Sequence, residues 1–186
     1  MKGDGQLSVA HSTMYLALWP PRTAAALRSY LDGAWRLEKT MKYSAGGVTG
    51  TFSGGATFTP LQHETRDLLT YIEEGQAVLG PERATFTARK LLLWDFSDPM
   101  AAVFFDEATE RSPAAIWEGA RFFHHIDLEG DGPSSFIHHC TPDLYEGAFA
   151  LDGPDRFELT WHISGPKKDG VIHNTFIRCS EGAAPA

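Results

Sequence analysis

Runs in which hydrophobic and polar residues alternate make up most of the chain from Trp35 onward. Each run ends in a cluster of Gly, Pro or Asp, such as residues 130–133. Alternation with a period of two is typical of β-strands, in which successive side chains point to opposite faces. Ten such runs are present, at residues 34–43, 48–59, 67–78, 83–96, 101–106, 120–128, 134–141, 143–151, 156–164 and 170–179.

The connections between these runs are short, and only one of them has a helical pattern. Strands joined by short turns pair as antiparallel hairpins, whereas parallel strands need long crossover connections. A sheet with this many strands can remove its exposed edges by closing into a barrel. We therefore predict an all-β, antiparallel up-and-down barrel of about 8–10 strands.

Two short helices are predicted beside the strands. Thr23 can cap a helix in which Leu27 and Leu31 lie on one face, and Gly33 can end it. The second helix begins at Ser112-Pro113, inside an insertion at residues 107–118. Two interpretations of the insertion stay open, a surface loop or a lid over one barrel mouth. The surface loop is favoured because loops tolerate insertions.

The length of 186 residues corresponds to one domain. We place the barrel at residues 23–179, with the insertion at 107–118 as part of it. Residues 1–22 and 180–186 are expected to be flexible, since the terminal segment consists mainly of small residues with nothing to bury.

The charge balance and the cysteine content narrow the range of partners. Sixteen Lys and Arg stand against 24 Asp and Glu, and the net charge of -8 would repel a nucleic acid. The apolar stretch at 14–19 is too short for a signal sequence or a membrane span. Two cysteines form no disulfide framework. We expect a soluble, cytoplasmic protein without nucleic-acid or membrane partners, and the oligomeric state is left open.

The alternation also predicts which side chains point into the barrel. In residues 120–128, Phe122 and His124 share the more apolar face, which leaves Phe123 and His125 on the outer face. Applied to every strand, this pattern yields the candidate ligand-contacting residues. They are Tyr71, Glu73, Phe122, His124, Phe136, His138, Cys140, Tyr145, Phe149 and Trp161.

The first and last strands carry a pair of residues that resembles the closure of lipocalin-type (calycin) barrels. Gly33-Ala34-Trp35 follows a short helix, and Arg178 lies near the end of the last strand. The resemblance implies that the short N-terminal helix closes one end, where the Trp35 indole packs beneath the Arg178 guanidinium. A stacked contact of this kind contributes roughly 0.5–2 kcal/mol.

A longer series of motifs resembles a family of uncharacterised calycin-like proteins of unknown function. The matching segments, in order, are 31–37, 50–54, 69–75, 93–96, 121–124, His138-His139-Cys140, Asp143-Leu144-Tyr145, Gly165-Pro166-Lys167-Lys168-Asp169 and Arg178. The insertion at 107–118 and Gly170 depart from the family pattern. The resemblance implies the barrel fold and no particular activity.

Three functions are compatible with these residues. The first is binding of a small, mostly apolar or aromatic ligand inside the barrel, with no metal or cofactor. The second is a cofactor-independent isomerase or hydrolase in which His124 or His138 works with Glu73, Asp143 or Tyr145. The third is a packed barrel that contacts other proteins. Zinc or haem ligation through these histidines is a weaker alternative, because no dedicated metal-ligand spacing is present.

Overall fold

The computed structural model describes residues 19–44, 47–130, 132–166 and 168–180. Within these residues the chain forms ten strands and two helices. The helices are α1 (Ala24–Leu31) and α2 (Pro113–Glu118). The strands are β1 (Gly33–Tyr43), β2 (Thr49–Leu61), β3 (Leu68–Leu79), β4 (Ala84–Asp95), β5 (Ala101–Asp106), β6 (Ala120–Ile126), β7 (Ser134–Cys140), β8 (Asp143–Leu151), β9 (Arg156–Ser164) and β10 (Asp169–Arg178).

The strands form one antiparallel sheet in the order β6-β5-β4-β3-β2-β1-β10-β9-β8-β7. The first and last strands pair along their length, from Trp35 opposite Arg178 to Tyr43 opposite Gly170. The two strands at the ends of this order, β6 and β7, meet through side chains and share no ladder within the described residues. The predicted antiparallel barrel and its short N-terminal helix are confirmed. The gap in the ladder lies in the middle of the chain, at the β6–β7 seam.

One end of the barrel is sealed by α1 and by two side chains that face each other across the β1–β10 pair. The Arg178 guanidinium lies 4.1 Å from the centre of the Trp35 ring and donates a 2.6 Å hydrogen bond to the Tyr30 carbonyl. The Trp35 indole N–H donates to the carbonyl of Leu31, at the end of α1. The helix is therefore attached to the barrel by hydrogen bonds as well as by its buried face.

Above this seal the barrel is filled with aromatic rings, which we call the lower core. The Phe157 ring stacks on Phe176 at 4.1 Å and meets the edge of Trp35 at 4.8 Å. The members of the lower core are all buried and are Trp35, Phe58, Trp94, Phe149, Phe157 and Phe176. Buried aromatic rings dominate the energy of such cores, so this half of the barrel carries much of its stability.

The insertion between β5 and β6 packs on the outer wall of the barrel. Its helix, α2, begins with Ser112, whose side chain accepts a hydrogen bond from the Ala115 amide. Ile116 is buried in a small outer cluster together with Leu68 and Leu93. The interpretation of the insertion as a lid, with Ile116 facing the mouth, is therefore wrong. The apolar side chains of α2 instead pack against the outer faces of the neighbouring strands.

The segments that the sequence predicts to be flexible lie at the two ends of the chain. The expected flexible segments, 1–22 and 180–186, fall mostly on residues 1–18 and 181–186, which lie outside the described residues. Trp19, which is described, packs against Tyr30 with a ring separation of 5.6 Å. In the part of the chain that the structure describes, neither helix is long and apolar enough to span a bilayer.

Replacing Arg178 by Met is expected to lower the free energy of unfolding by about 2 kcal/mol, because the stacked contact and the charged hydrogen bonds are lost. The matched control is Arg36→Met, since Arg36 is exposed on the outer face of the same strand pair. We expect the control to change stability by less than about 0.5 kcal/mol. Urea unfolding followed by far-ultraviolet circular dichroism measures both. Equal losses in the two variants would contradict the role of the seal.

Candidate functional site

The half of the barrel above the lower core is lined by inward-facing side chains that remain partly accessible to solvent. We call this region the upper chamber. Register and burial place its half-buried members on seven strands, and they are Lys39, Met41, Lys90, Phe105, His138, Tyr145, Leu159 and Ile172. Inward-facing residues of a fully packed barrel are sealed from water, as they are in the lower core. Solvent therefore reaches these side chains from the end of the barrel that lies away from α1.

A small charged network projects into the chamber from β1 and β3. Glu73 is buried, and one of its carboxylate oxygens accepts a hydrogen bond from the Lys39 ammonium. The other accepts a 2.7 Å hydrogen bond from the Tyr71 hydroxyl. Burial, and then the adjacent Glu73 carboxylate, raise the pKa of Tyr71 well above its ordinary value. Tyr71 is therefore a fixed hydrogen-bond donor.

A second lysine, Lys90, lies opposite Glu73 in the β3–β4 register. Its ammonium lies 5.5 Å from the centre of the Phe123 ring, which belongs to β6, two strands away in the sheet. Loss of hydration and the nearby Lys39 charge lower the pKa of Lys90 to about 8, although Glu73 acts in the opposite direction. The chamber therefore contains two lysine side chains and one glutamate side chain.

The aromatic wall of the chamber crosses the β6–β7 seam. The Phe123 ring stacks on Trp161 at 5.2 Å with an interplanar angle of 16°. The His124 ring stacks on Phe136 at 3.8 Å with an angle of 3°. Phe136 can lie flat there only because residue 147 is glycine, since a Cβ at Gly147 would stand 2.0 Å from the Phe136 ring.

The two inward histidines serve this wall. Desolvation is the main reason that the pKa of His124 falls to about 3, so its ring is neutral at physiological pH. The His138 Nδ1 lies 3.2 Å from the backbone carbonyl of Phe123. A carbonyl oxygen only accepts, so Nδ1 carries the proton of that bond. Both rings therefore contribute to the packing of the seam, and the lowered pKa makes His124 a weak base that stays unprotonated.

The expectation that Phe122 points inward and Phe123 outward is wrong. A β-bulge in β6 is the reason, since Val103 pairs with His124 whereas Phe104 pairs with Phe122. The extra residue, Phe123, turns into the barrel and is buried, while Phe122 is 48% exposed on the outer wall. A single bulge reverses the alternation on one side of it.

The remaining predicted residues divide between the chamber, the lower core and the rim. Tyr71, Glu73, His138, Tyr145 and Trp161 line the chamber with their inward-facing side chains. Phe149 belongs to the sealed lower core and is buried.

Two features mark the rim. Cys140 is exposed at the end of β7. The Lys168 ammonium lies 3.6 Å from an Asp143 carboxylate oxygen and donates a 3.4 Å hydrogen bond to the Tyr145 hydroxyl. Within the described residues, no three His, Cys, Asp or Glu side chains lie close enough together to hold a metal ion.

The chamber residues that sequence reasoning missed include Lys39, Lys90 and Phe123. Lys39 shares the inward face with Trp35 and Leu37, four and two residues earlier, and Lys90 precedes the inward-facing Leu92 by two. Simple alternation was therefore sufficient to find both lysines. Phe123 could not be found in this way, because no residue in the sequence marks the bulge.

Concave regions also lie outside the chamber. A groove of about 290 Å³ lies at the closed end, between Trp19 and the β6–β7 connection at Leu128. Another, of about 410 Å³, lies along the rim beside Tyr43 and Asp169. Neither includes the charged network or the Phe123–Trp161 wall.

Comparisons with known proteins agree with the fold. The model of a family of unknown function, DUF6314, matches residues 31–178. No curated protein sequence is significantly similar to the chain. The S-type phycobiliprotein lyase from Guillardia theta is similar in structure, with a TM-score of 0.62 and 10% sequence identity over 87% of this chain and 95% of that chain. At this identity the likeness shows a shared fold and nothing about activity.

Designed proteins also match, but at low structural similarity. A redesigned β-barrel has a TM-score of 0.36 and 15% identity over 86% of this chain and 96% of that chain. Another, bound to DFHBI, has a TM-score of 0.33 and 13% identity over 80% and 99% of the two chains.

The bulge predicts opposite outcomes for two adjacent phenylalanines. Phe123→Ala should lower the free energy of unfolding by about 3 kcal/mol, because it removes a buried ring stacked on Trp161. Phe122→Ala should cost less than about 1 kcal/mol, since that ring lies on the outer wall. Chemical denaturation of both variants measures the difference. A larger loss for Phe122→Ala would show that β6 has the opposite orientation.

Burial of His124 predicts a dependence of stability on pH. Its pKa is about 3 in the folded protein and 6.5 when unperturbed, so the unfolded chain binds more protons between these values. The folded state therefore loses stability as the pH falls through this window. His124→Phe should make the decline shallower, as seen by unfolding at several pH values. His162→Phe, on the exposed outer face of β9, is the control. An unchanged slope in His124→Phe would refute the effect.

Proposed function

The chain belongs to the DUF6314 family of unknown function, and we propose that it binds a small, mostly apolar or aromatic molecule in its upper chamber. The observation that carries this proposal is that inward-facing side chains such as Leu159 and Ile172 remain half-buried rather than sealed. Apolar side chains that are left accessible inside a fold lose favourable contacts, unless another molecule covers them.

The composition of the chamber suits such a ligand. Ligand pockets are mostly apolar and aromatic, with a few polar groups that fix orientation. The buried stack of Phe123 on Trp161 makes this wall aromatic, and half-buried Phe105 beside it leaves part of a ring accessible to an aromatic body. Tyr145 and His138, which lie opposite each other on β7 and β8, offer polar anchors close to the rim.

Binding is favoured over the two alternatives. Acid–base catalysis would have to rely on His138, because the lowered pKa of His124 makes it a weak base and its ring is stacked on Phe136. A barrel that acts only through its outer surface has no need for accessible inward-facing residues. We also propose a reducing, cytoplasmic location, because Cys140 and Cys179 are free thiols.

A titration with the neutral, environment-sensitive dye N-phenyl-1-naphthylamine tests the proposal. We expect saturable binding by the natural protein. Ile172→Phe, which fills the chamber, should weaken it about tenfold, because the added ring takes the ligand's space. Val171→Phe is the matched control, since Val171 is the next residue on β10 and points outward. We expect binding within about twofold of the natural protein for that variant.

Native mass spectrometry of freshly purified protein provides an independent readout. The natural chain should retain a small molecule that Ile172→Phe loses. Absence of saturable dye binding by the natural protein, together with a mass equal to that of the chain alone, would overturn the proposed function. Equal weakening in both variants would place the ligand outside the chamber.

A further inference from the structure

The charged groups inside the barrel do not cancel. Below the rim, the charged side chains that point into the chamber from the described strands are Lys39, Glu73 and Lys90, with a net charge of +1. At the rim, charges occur in pairs, with Lys168 beside Asp143 and Arg121 bonded to Glu107. The chain as a whole has a net charge of -8. The excess of positive side chains is therefore confined to the chamber, because the chain as a whole is negatively charged.

Among the described residues, the one carboxylate that points into the chamber below the rim is hydrogen-bonded through both of its oxygens. Glu73 accepts from the Lys39 ammonium with one oxygen and from the Tyr71 hydroxyl with the other. Lys39 and Glu73 are both largely shielded from solvent, with side-chain exposures of 14% and 8%. This pair balances its own charge. Neither Glu73 oxygen forms a hydrogen bond or an ion pair with Lys90.

Lys90 makes neither an ion pair nor a hydrogen bond with any other described residue. Its nearest defined contact is the face of the Phe123 ring, at 5.5 Å. A cation that is partly desolvated without an ion-pair partner is costly, and the lowered pKa of Lys90 reflects loss of hydration that the attraction of Glu73 only partly offsets. Such a group is retained at less cost if a negative charge joins it in the functional state.

We propose that the ligand of the upper chamber is an organic anion, an apolar or aromatic body with one negative group, and that Lys90 receives that group. This inference rests on the proposed function and names the class of its ligand. The aromatic wall at Phe123 and Trp161 would cover the body while the ammonium binds the anionic group. Charge-assisted hydrogen bonds are stronger than neutral ones, and more so where water is excluded.

Two dyes with the same aromatic body test this inference. One is the anionic 8-anilinonaphthalene-1-sulfonate, and the other is the neutral N-phenyl-1-naphthylamine. Lys90→Met should weaken binding of the anionic dye about tenfold and leave binding of the neutral dye within about twofold. Lys90→Arg keeps the charge and should keep most of the affinity for the anionic dye. Lys42→Met, which removes an exposed charge from the outer face of β1, should change neither.

Stability of the unliganded variants gives a second measurement. Lys90→Met leaves the Lys39–Glu73 pair intact and removes the unpaired cation, so its thermal midpoint should equal or exceed that of the natural protein. If Lys90→Met fails to fold, Lys90→Gln takes its place with the same expected loss for the anionic dye.

The outcomes separate the inference from its premise. If neither dye binds the natural protein and its native mass equals that of the chain alone, the proposed function itself is overturned. If both dyes bind and Lys90→Met weakens them equally or not at all, the anionic ligand is overturned while the binding function stands. The same loss in Lys42→Met as in Lys90→Met would also overturn it, because the effect would then come from overall charge.

Discussion

The Arg178–Trp35 contact at the end of the β1–β10 pair is the constraint on which the rest of the structure depends. It joins the first strand of the barrel to the last. Arg178 donates a hydrogen bond to the Tyr30 carbonyl and Trp35 donates one to the Leu31 carbonyl, and these bonds hold α1 across the sealed end of the barrel. With that end sealed, the aromatic rings of the lower core pack without access to water. The other end can then stay open, because the packing that stabilises the fold does not depend on it.

This division explains how the barrel tolerates charge in its interior. Charged side chains weaken a hydrophobic core, yet Lys39, Glu73 and Lys90 all point inward. They lie above the lower core, where partial access of water reduces the cost of desolvation. Glycines at inward positions give the ring of Phe136 and its neighbours the space they need. The same strands thus form the stabilising lower core near α1 and the solvent-accessible upper chamber at the other end.

The strand pattern could be predicted from the sequence almost completely, because a period of two directly reflects the two faces of a sheet. No end of the ten predicted runs differs from the end of the observed strand by more than two residues. The order of the strands also followed from the short hairpin turns. The bulge at Phe123 could not be predicted, since an extra residue changes the faces without changing composition. Alternation places Lys39 and Lys90 on the inward face. They were not predicted to point inward because lysines usually lie on the surface.

The β6–β7 seam accounts for the histidines that first suggested catalysis. Without a backbone ladder at this place, the barrel wall must be completed by side chains. His124 does so by stacking on Phe136, and His138 does so by donating to the Phe123 carbonyl across the seam. A charged His124 would disrupt this packing, which is why burial favours its neutral form. Residues engaged in closing the wall are poorly placed for proton transfer. Among the described residues that point into the chamber below the rim, the charged group without an ion pair is Lys90, whose ammonium lies over the Phe123 ring beside the seam.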